Sequence, residues 1–308
     1  MTVMMMTGQF VPTMIDLHIH STYSDGTCTP AELVSIACSL GLNGLALTDH
    51  DTLEGTDEFL AAAREHKFDA LAGVEISARY TNPETGLPGD GELHILGYFP
   101  DWDAGRHGTE DALLEIRRNR NERNPKIIDR LQTLGCDITI EEVNDHAANS
   151  VVGRPHIAAI LVRKGYASSF EQAFSRFLAT DAAAYVPKKI FSPAKAIQTI
   201  RNAGGLAVLA HPKMLHISSE QHMRTLLDEL ISFGLEGIEV FCSTHQPHDV
   251  CRFRDIAERC NLVLTGGTDF HGENKPDIRL GTGFGNVQVP DSCMDAVRSR
   301  VKERSSTS

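Results

Sequence analysis

The segment MIDLHIH (residues 14–20) is a short apolar run that ends in two histidines. Its composition predicts a β-strand over residues 14–17. Because side chains at positions i and i+2 of a strand lie on the same face, His18 and His20 can point at one metal ion. The segment therefore predicts the first strand of the fold and the beginning of a metal site.

Further short apolar runs, rich in β-branched residues, follow along the chain, and helical patterns lie between most of them. The predicted strands span residues 14–17, 44–47, 69–74, 93–98, 206–209, 237–240 and 262–264, and the helical patterns include residues 30–40, 56–67, 193–203 and 219–233. Alternation of strands and helices is typical of parallel strands joined by helical crossovers. Seven strands in this order predict an α/β barrel, incomplete or distorted.

The alternation is interrupted once, between residues 101 and 185. This stretch places apolar residues at helical spacing, as at Leu113 and Ile116, and has no clear strand pattern. We therefore predict two domains. Residues 1–100 and 186–308 form the barrel, and residues 101–185 form an all-helical insert that caps the substrate.

Length, composition and charge narrow the class of protein. The 308 residues are 41% hydrophobic, which suffices for one large barrel, and the formal net charge is -12. Such an acidic chain is poorly suited to long nucleic acid, which requires surfaces rich in Lys and Arg. A phosphate substrate remains compatible, because metal ions supply local positive charge.

Membrane and export signals are not evident in the sequence. No apolar run reaches the roughly 20 residues that span a bilayer, and residues 1–14 lack the charged start and cleavage site of a signal peptide. The seven cysteines are scattered without a CxxC pair, which is typical of reduced thiols. We expect a cytoplasmic protein with no membrane partner.

Clusters of histidine and carboxylate residues stand at the ends of the predicted strands. They occupy residues 16–20, 48–50, 73–75, 210–212 and 268–271, and His94 lies within the fourth strand. Barrels build their sites at the C-terminal ends of the strands. Buried His, Asp and Glu are costly unless they are paired or bound to metal, so this repetition predicts a metal centre.

In chain order, the motifs are Asp16-x-His18-x-His20, Ser24-Asp25-Gly26, Thr48-Asp49-His50, Gly73-Val74-Glu75, His94-Ile95-Leu96-Gly97-Tyr98, Ala210-His211-Pro212 and Thr268-Asp269-Phe270-His271. This series resembles the PHP (polymerase and histidinol phosphatase) superfamily, over residues of about 18–100 and 190–275. The resemblance implies a distorted (β/α)7 barrel, similar to a TIM barrel, that holds two or three divalent ions.

The resemblance also implies which residues bind the metals. The first site would use His18, His20, Glu75 and Asp269; the second would use Glu75 as a bridge, with His94 and His211; the third would use Asp25, His50 and His271. Asp25 stands where some family members have histidine. Mixed imidazole and carboxylate ligands suit Mn, Zn or Fe and do not select among them.

The predicted insert carries basic residues that suit phosphate. Gly153-Arg154-Pro155-His156 opens a helix, and Tyr185-Val186-Pro187-Lys188-Lys189 ends the insert. The nucleotide-phosphatase branch of the superfamily has a similar insert with an Arg-x-His element facing the metals. The resemblance implies that Arg154, His156 and Lys188 bind substrate and that His245 contacts phosphate or protonates the leaving oxygen. By chemistry alone, Arg154 fits a surface ion pair equally well, and His245 fits an ordinary loop position.

These observations predict a hydrolase that cleaves a phosphate monoester with a metal-bound hydroxide, with Glu75, Asp269 and His245 as the catalytic residues. The resemblance to the branch that carries the insert implies that the substrate is a nucleoside 3′,5′-bisphosphate, which loses its 3′ phosphate. The alternatives are trimming of a short RNA from its 5′ end, hydrolysis of histidinol phosphate, a metal-dependent amidohydrolase, and a non-enzymatic module. Covalent catalysis is disfavoured, because the chain has no GxSxG motif.

Overall fold

A computed structural model describes residues 14–79, 81, 84, 93–147, 152–180, 182–187 and 189–307. The strands of this part are β1 (Met14–Ile19), β2 (Gly44–Leu47), β3 (Asp69–Ala78), β4 (Leu93–Phe99), β5 (Leu206–Leu209), β6 (Gly237–Cys242), β7 (Val263–Gly267) and β8 (Val289–Pro290). They form one sheet in the order β7-β6-β5-β4-β3-β2-β1-β8. The first seven match the predicted strands in position, and the two-residue β8 was not predicted.

The two ends of this sheet approach each other beyond β7. The Asp269 backbone N–H donates to the His18 carbonyl at 2.8 Å, and the His20 N–H donates to the Phe270 carbonyl at 2.9 Å. Gly267 makes the approach possible, since a Cβ there would lie 2.3 Å from the His18 backbone nitrogen. The sheet is therefore a nearly closed barrel, and the predicted fold class is confirmed.

The expectation that all strands are parallel is wrong for β4. This strand runs antiparallel to both β3 and β5, and its His94 pairs with Ser77. A parallel neighbour needs a crossover, usually helical, whereas antiparallel neighbours can be joined by a simple loop. The sequence of residues 79–92 is rich in Gly and Pro and has no helical pattern, which favours the antiparallel arrangement.

Helices cover the barrel. They are α1 (Pro30–Leu40), α2 (Thr56–His66), α7 (Pro193–Asn202), α8 (Glu220–Phe233), α9 (Pro247–Cys260) and α10 (Ser292–Thr307). Local sequence begins them: the Thr29 side chain accepts from the Glu32 N–H in a capping box, and Ser192 and Ser219 cap α7 and α8 in a similar way. All four residues of β2 and of β5 are buried, as expected for strands covered on both faces.

The stretch between β4 and β5 is helical in the part that the structure describes. It contains α3 (Trp102–Thr133), α4 (Ile140–Ala147), α5 (Arg154–Arg163) and α6 (Phe170–Ala173), which continues into a π-helical turn at Phe174–Leu178. Leu113 and Ile116 of α3 pack in the core of the barrel, whereas Ile127 and Leu131 pack in a separate apolar core with residues of α4, α5 and the π-helical turn. The division at residues 101 and 185 stays a prediction.

Among the described helices, none has the length and apolar character that a bilayer crossing requires.

Candidate metal centre

The predicted ligands meet at one rim of the barrel. His18 and His20 come from β1 and its end, and His50 follows β2. Glu75 lies on β3, and His94 lies near the start of β4. Since β4 runs in the opposite direction to its neighbours, its first residues lie at the same rim as the ends of the parallel strands. His211, Asp269 and His271 follow β5 and β7 and complete the set of nine, which also includes Asp25.

Glu75 is the centre of this arrangement. Its side chain is fully buried, and each of its oxygens faces a different set of imidazoles. Oε1 lies 2.8 Å from His94 Nδ1 and 2.9 Å from His211 Nε2. Oε2 lies 3.2 Å from the Nε2 atoms of His18 and His20 and 3.1 Å from His50 Nδ1. One carboxylate therefore stands between two groups of nitrogen ligands, as a bridging ligand requires.

Three groups of side chains have the spacing of metal ligands. They are His18, His20, Glu75 and Asp269; His20, Asp25, His50 and His271; and His50, Glu75 and His94. In each group, the ligand atoms lie within 4.8 Å of one another. The second site implied by the resemblance has His211 where the last of these groups has His50. His211 Nε2 lies 2.9 Å from Glu75 Oε1 and 3.3 Å from His94 Nδ1.

Some buried nitrogen and oxygen atoms of these side chains have no hydrogen-bond partner among the described residues, which fits a role as metal ligands. In the described part of the chain, His20 Nε2, His50 Nδ1 and Asp25 Oδ1 are buried without a hydrogen-bond partner. His20 Nε2 and His50 Nδ1 lie close to Glu75 Oε2 but do not meet it in hydrogen-bond geometry. Buried polar atoms are rarely left in this state, and such atoms among candidate metal ligands fit cation binding.

The buried charges of the centre shift the pKa values of its ligands in two directions. Burial raises the pKa of the Glu75 carboxyl, but His50, His94 and His18 outweigh it and hold that pKa well below its ordinary value. Burial lowers the pKa of His50 to about 3, and it also lowers the pKa of His271, so these imidazoles are neutral near neutral pH, the form that binds metal. Burial also opposes the charged forms of His18 and His20, but neighbouring carboxylates outweigh it and raise the pKa of His18 well above its ordinary value and that of His20 to about 9, so both must lose a proton when metal binds.

The backbone is unusual where two of the ligands leave their strands. Asp269 has φ 58° and His211 has φ 27°, both in the region that non-glycine residues rarely adopt. Hydrogen bonds hold both positions: the Asp269 N–H donates to the His18 carbonyl, and the His211 N–H donates to Glu239 Oε2 at 2.7 Å. Such strain is common at functional sites, where surrounding contacts stabilise it.

Glu239 on β6 is a functional candidate that the sequence did not single out. It is fully buried, and its Oε1 lies 3.0 Å from His18 Nδ1 while its Oε2 accepts from the His211 backbone. A carboxylate on Nδ1 keeps the proton of His18 there and leaves Nε2 to face the centre. Glu239 therefore orients two proposed ligands at once. The sequence offered one signal: Glu239 lies in the predicted strand between the two strands that precede His211 and Asp269.

Two of the proposed substrate-binding residues make hydrogen bonds within the helical segment. An Arg154 N–H donates to the Leu178 carbonyl at 3.1 Å, and the guanidinium lies 5.8 Å from the centre of the Phe174 ring. His156 Nδ1 accepts from the Gly153 N–H and caps α5. Lys188 lies outside the described residues.

His245 follows β6 in the chain and is buried near Phe253. Its Nδ1 lies 2.8 Å from the Val240 carbonyl, which fixes the proton on Nδ1, and its buried Nε2 has no hydrogen-bond partner in the described part of the chain. Burial lowers the pKa of this imidazole. A neutral His245 presents a lone pair on Nε2, so it must be protonated before it can serve as a general acid.

The position of Glu239 generates a prediction. Replacing Glu239 with Gln should lower the affinity for divalent metal by roughly 10- to 100-fold, because an amide cannot accept both hydrogen bonds. Metal affinity would be measured by competition with a chelator. Glu236→Gln is the matched control, since Glu236 pairs with Arg304 instead of a ligand. Equal affinities of the two variants would contradict the orienting role.

Comparisons with known proteins place the chain among relatives of known name. The family model described as the PHP domain matches residues 16–132. A 5′-3′ exoribonuclease from Haemophilus influenzae is 35% identical, with 83% of this chain and 89% of that protein covered. A 3′,5′-nucleoside bisphosphate phosphatase from Chromobacterium violaceum is 32% identical, with 86% and 90% covered.

The chain is also similar to a solved structure. A candidate metal-dependent phosphoesterase from Bifidobacterium adolescentis superposes with a TM-score of 0.79 at 31% identity, covering 94% of this chain and 97% of that one. The fold, the clustered ligands and these relatives together establish that the chain belongs to the PHP family and is a metal-dependent phosphoesterase.

Proposed function

We propose that the chain hydrolyses the 3′ phosphate of a nucleoside 3′,5′-bisphosphate and leaves the 5′ monophosphate. The observation that carries the proposal is the position of Glu75 between two groups of imidazoles, because such a carboxylate can hold two ions close together. The nine proposed ligands are His18, His20, Asp25, His50, Glu75, His94, His211, Asp269 and His271. They offer places for two or three ions of Mn, Zn or Fe.

When bound, divalent ions at these positions supply Lewis acidity towards the phosphoryl oxygens and make water a nucleophile near neutral pH. The protein holds the ligands in place. Asp16 accepts from the Thr268 N–H and hydroxyl at 2.9 and 2.6 Å, and so secures the turn that carries Asp269. Asp49 accepts from the Ser21 N–H and the Ser24 hydroxyl at 2.7 and 2.5 Å, and so secures the loop that carries Asp25.

Charge balance supports an anionic substrate. Asp25, Glu75 and Asp269 are the carboxylates of the proposed ligand set. Two ions would leave the centre near neutral or slightly positive with these three charges, whereas three ions would leave it clearly positive. A positive centre in a chain of net charge -12 attracts phosphate locally while the rest of the surface repels extended nucleic acid.

The proposed choice of a bisphosphate rests on a second set of cationic residues in the sequence. Arg154, Lys188 and Lys189 belong to the helical segment and its end, and Arg forks match phosphate oxygens in a bidentate manner. Binding energy from the remote phosphate could then orient the reacting one. The relative from Chromobacterium violaceum, by its name, acts on such a bisphosphate.

A second candidate is stepwise removal of nucleotides from the 5′ end of a short RNA. The identity of 35% to the 5′-3′ exoribonuclease of Haemophilus influenzae favours it. The same two regions would serve, with the 5′ phosphate at the helical segment and the scissile phosphodiester at the metals. The acidity of the chain restricts this activity to short substrates.

The metal assignment gives one prediction. Purified protein should carry two or three divalent ions per chain, and chelation should abolish phosphate release. Glu75→Ala should be the most damaging of the single ligand changes, because it removes both bridging oxygens. Metal content by elemental analysis and turnover by phosphate release are the measurements. Full metal content and turnover in Glu75→Ala would exclude the bridging role.

Arg154 gives another prediction, and the chain offers a matched control. Arg154→Ala should lower catalytic efficiency by roughly 10- to 1000-fold, through loss of a charge-assisted phosphate contact. Arg176 makes the same kinds of contact, with the Tyr166 carbonyl at 3.2 Å and the Phe177 ring at 4.7 Å. If Arg154 supports only the helical segment, Arg176→Ala should be equally harmful and both variants should lose thermal stability together.

Substrate choice is tested with one panel under one metal condition. It contains adenosine 3′,5′-bisphosphate, AMP, histidinol phosphate, a short 5′-phosphorylated RNA and a model amide. The bisphosphate should have the highest kcat/KM, since it alone among the small substrates can use both cationic regions. Stronger turnover of the RNA would select the second candidate. Equal or better turnover of histidinol phosphate would refute the nucleotide assignment and leave the phosphoesterase in place.

A further inference from the structure

Lys275 lies at the edge of the metal centre. It follows a short 3-10 turn at Gly272–Asn274, and its Nζ donates to Asp269 Oδ2 at 2.6 Å. The amine is in direct contact with a proposed ligand, yet 38% of its side-chain surface is exposed. The amine therefore contacts a residue of the metal centre and is also accessible to solvent.

The two oxygens of Asp269 face different neighbours. Oδ1 lies 3.3 Å from His20 Nε2 and 3.6 Å from His18 Nε2, whereas Oδ2 faces Lys275. The amine therefore does not compete for the oxygen that faces the two imidazoles. Asp269 can contribute Oδ1 to an ion and still keep Lys275 beside that ion.

The turn that carries Lys275 is held against the loop that carries Asp25. The Asn274 side-chain amide donates to the Asp25 carbonyl at 2.8 Å, and the Glu273 N–H donates to Thr27 Oγ1 at 2.9 Å. The Lys275 backbone N–H donates to the Gly272 carbonyl at 3.1 Å, and its own carbonyl accepts from the Ile278 N–H at 3.0 Å. This backbone is well anchored, so the amine has a defined place relative to two of the proposed metal positions.

An ammonium group has three N–H donors, and the Asp269 contact uses one of them. Lysine is ordinarily a cation at neutral pH, so this ammonium has donors in addition to the one that meets Asp269. Lysine serves phosphate in this manner, as a point charge with several donors.

We propose that Lys275, from its place beside Asp269 Oδ2, contacts a non-bridging oxygen of the phosphoryl group bound at the metal centre. The inference rests on the proposed function and deepens it, because it places a protein cation from the barrel itself at the reacting phosphate. It differs from the proposed roles of Arg154 and Lys188, which belong to the remote phosphate.

The experiment measures binding of inorganic phosphate to the metal-loaded full chain by calorimetry, with metal content determined on the same samples. Lys275→Gln removes the charge at similar length, and Lys275→Arg retains it. Lys213→Gln is the matched control, because Lys213 Nζ also lies 2.6 Å from a carboxylate, Asp249, and its side chain is also 38% exposed. Asp249 is not a proposed ligand.

We expect Lys275→Gln to keep its metal and to bind phosphate roughly 10- to 100-fold more weakly, as for the loss of one charge-assisted hydrogen bond. Lys275→Arg should recover most of the affinity, and Lys213→Gln should behave as the unmodified protein does. A change in phosphate affinity of less than about threefold in Lys275→Gln would overturn the inference. Loss of metal in Lys275→Gln would overturn it too, since the lysine would then act only on Asp269.

Failure of the proposed function would look different. If the unmodified protein binds metal and phosphate but releases no phosphate from the nucleotide panel, the substrate assignment is wrong. The Lys275 contact would then still be supported by weaker phosphate binding in Lys275→Gln. An unmodified, metal-loaded protein that binds no phosphate would refute the contact directly.

Discussion

A single buried carboxylate, Glu75, organises the centre. An ionised carboxylate without solvent is costly unless positive charge or hydrogen bonds compensate it. Here the neighbours are the imidazoles of His18, His20, His50, His94 and His211, which meet its two oxygens at 2.8 to 3.2 Å. Neighbouring carboxylates raise the pKa values of His18 and His20, so protonated imidazoles can compensate the charge of Glu75, and divalent ions would take over that role when they displace those protons.

The requirement to surround Glu75 explains several features of the barrel. Each of the strands from β1 to β7 supplies a ligand, a ligand-bearing turn or, for β6, the supporting Glu239. Gly267 allows β7 to approach His18, and Asp269 and His211 adopt strained backbone conformations as they leave their strands. Buried carboxylates secure these turns from behind. Burial raises the pKa of one of them, Asp16, to about 6 in spite of four hydrogen bonds from neighbouring groups.

The helical segment between β4 and β5 has an apolar core of its own. Its own apolar core includes Ile127, Leu131, Ile157 and Leu161, so its packing is separate from the ligands. A barrel of this kind can therefore keep its metal chemistry while the segment beside it changes. This agrees with relatives of similar identity that are named for different substrates.

The sequence by itself determined the strands, most helices and the identity of the clustered polar residues. These follow from local rules: apolar runs of strand length, capping residues such as Thr29, and side chains at i and i+2 on one face. The direction of β4 required the tertiary structure, because strand pairing is a contact between distant segments. That direction brings His94 to the same rim as Glu75, and the sequence offered one sign of it, the absence of a helical pattern in residues 79–92.

The residues that hold the proposed ligands in place were likewise decided by contacts between distant parts of the chain. Glu239 and His18 are 221 positions apart, yet they lie 3.0 Å from each other. The amine of Lys275 gains its place only because the turn after β7 packs on the loop of Asp25. Sequence periodicity reports which face of an element is buried, but not which residue of another element it meets. Only the nearly closed barrel decides those pairs, because it brings the ends of the parallel strands and the start of β4 to one rim.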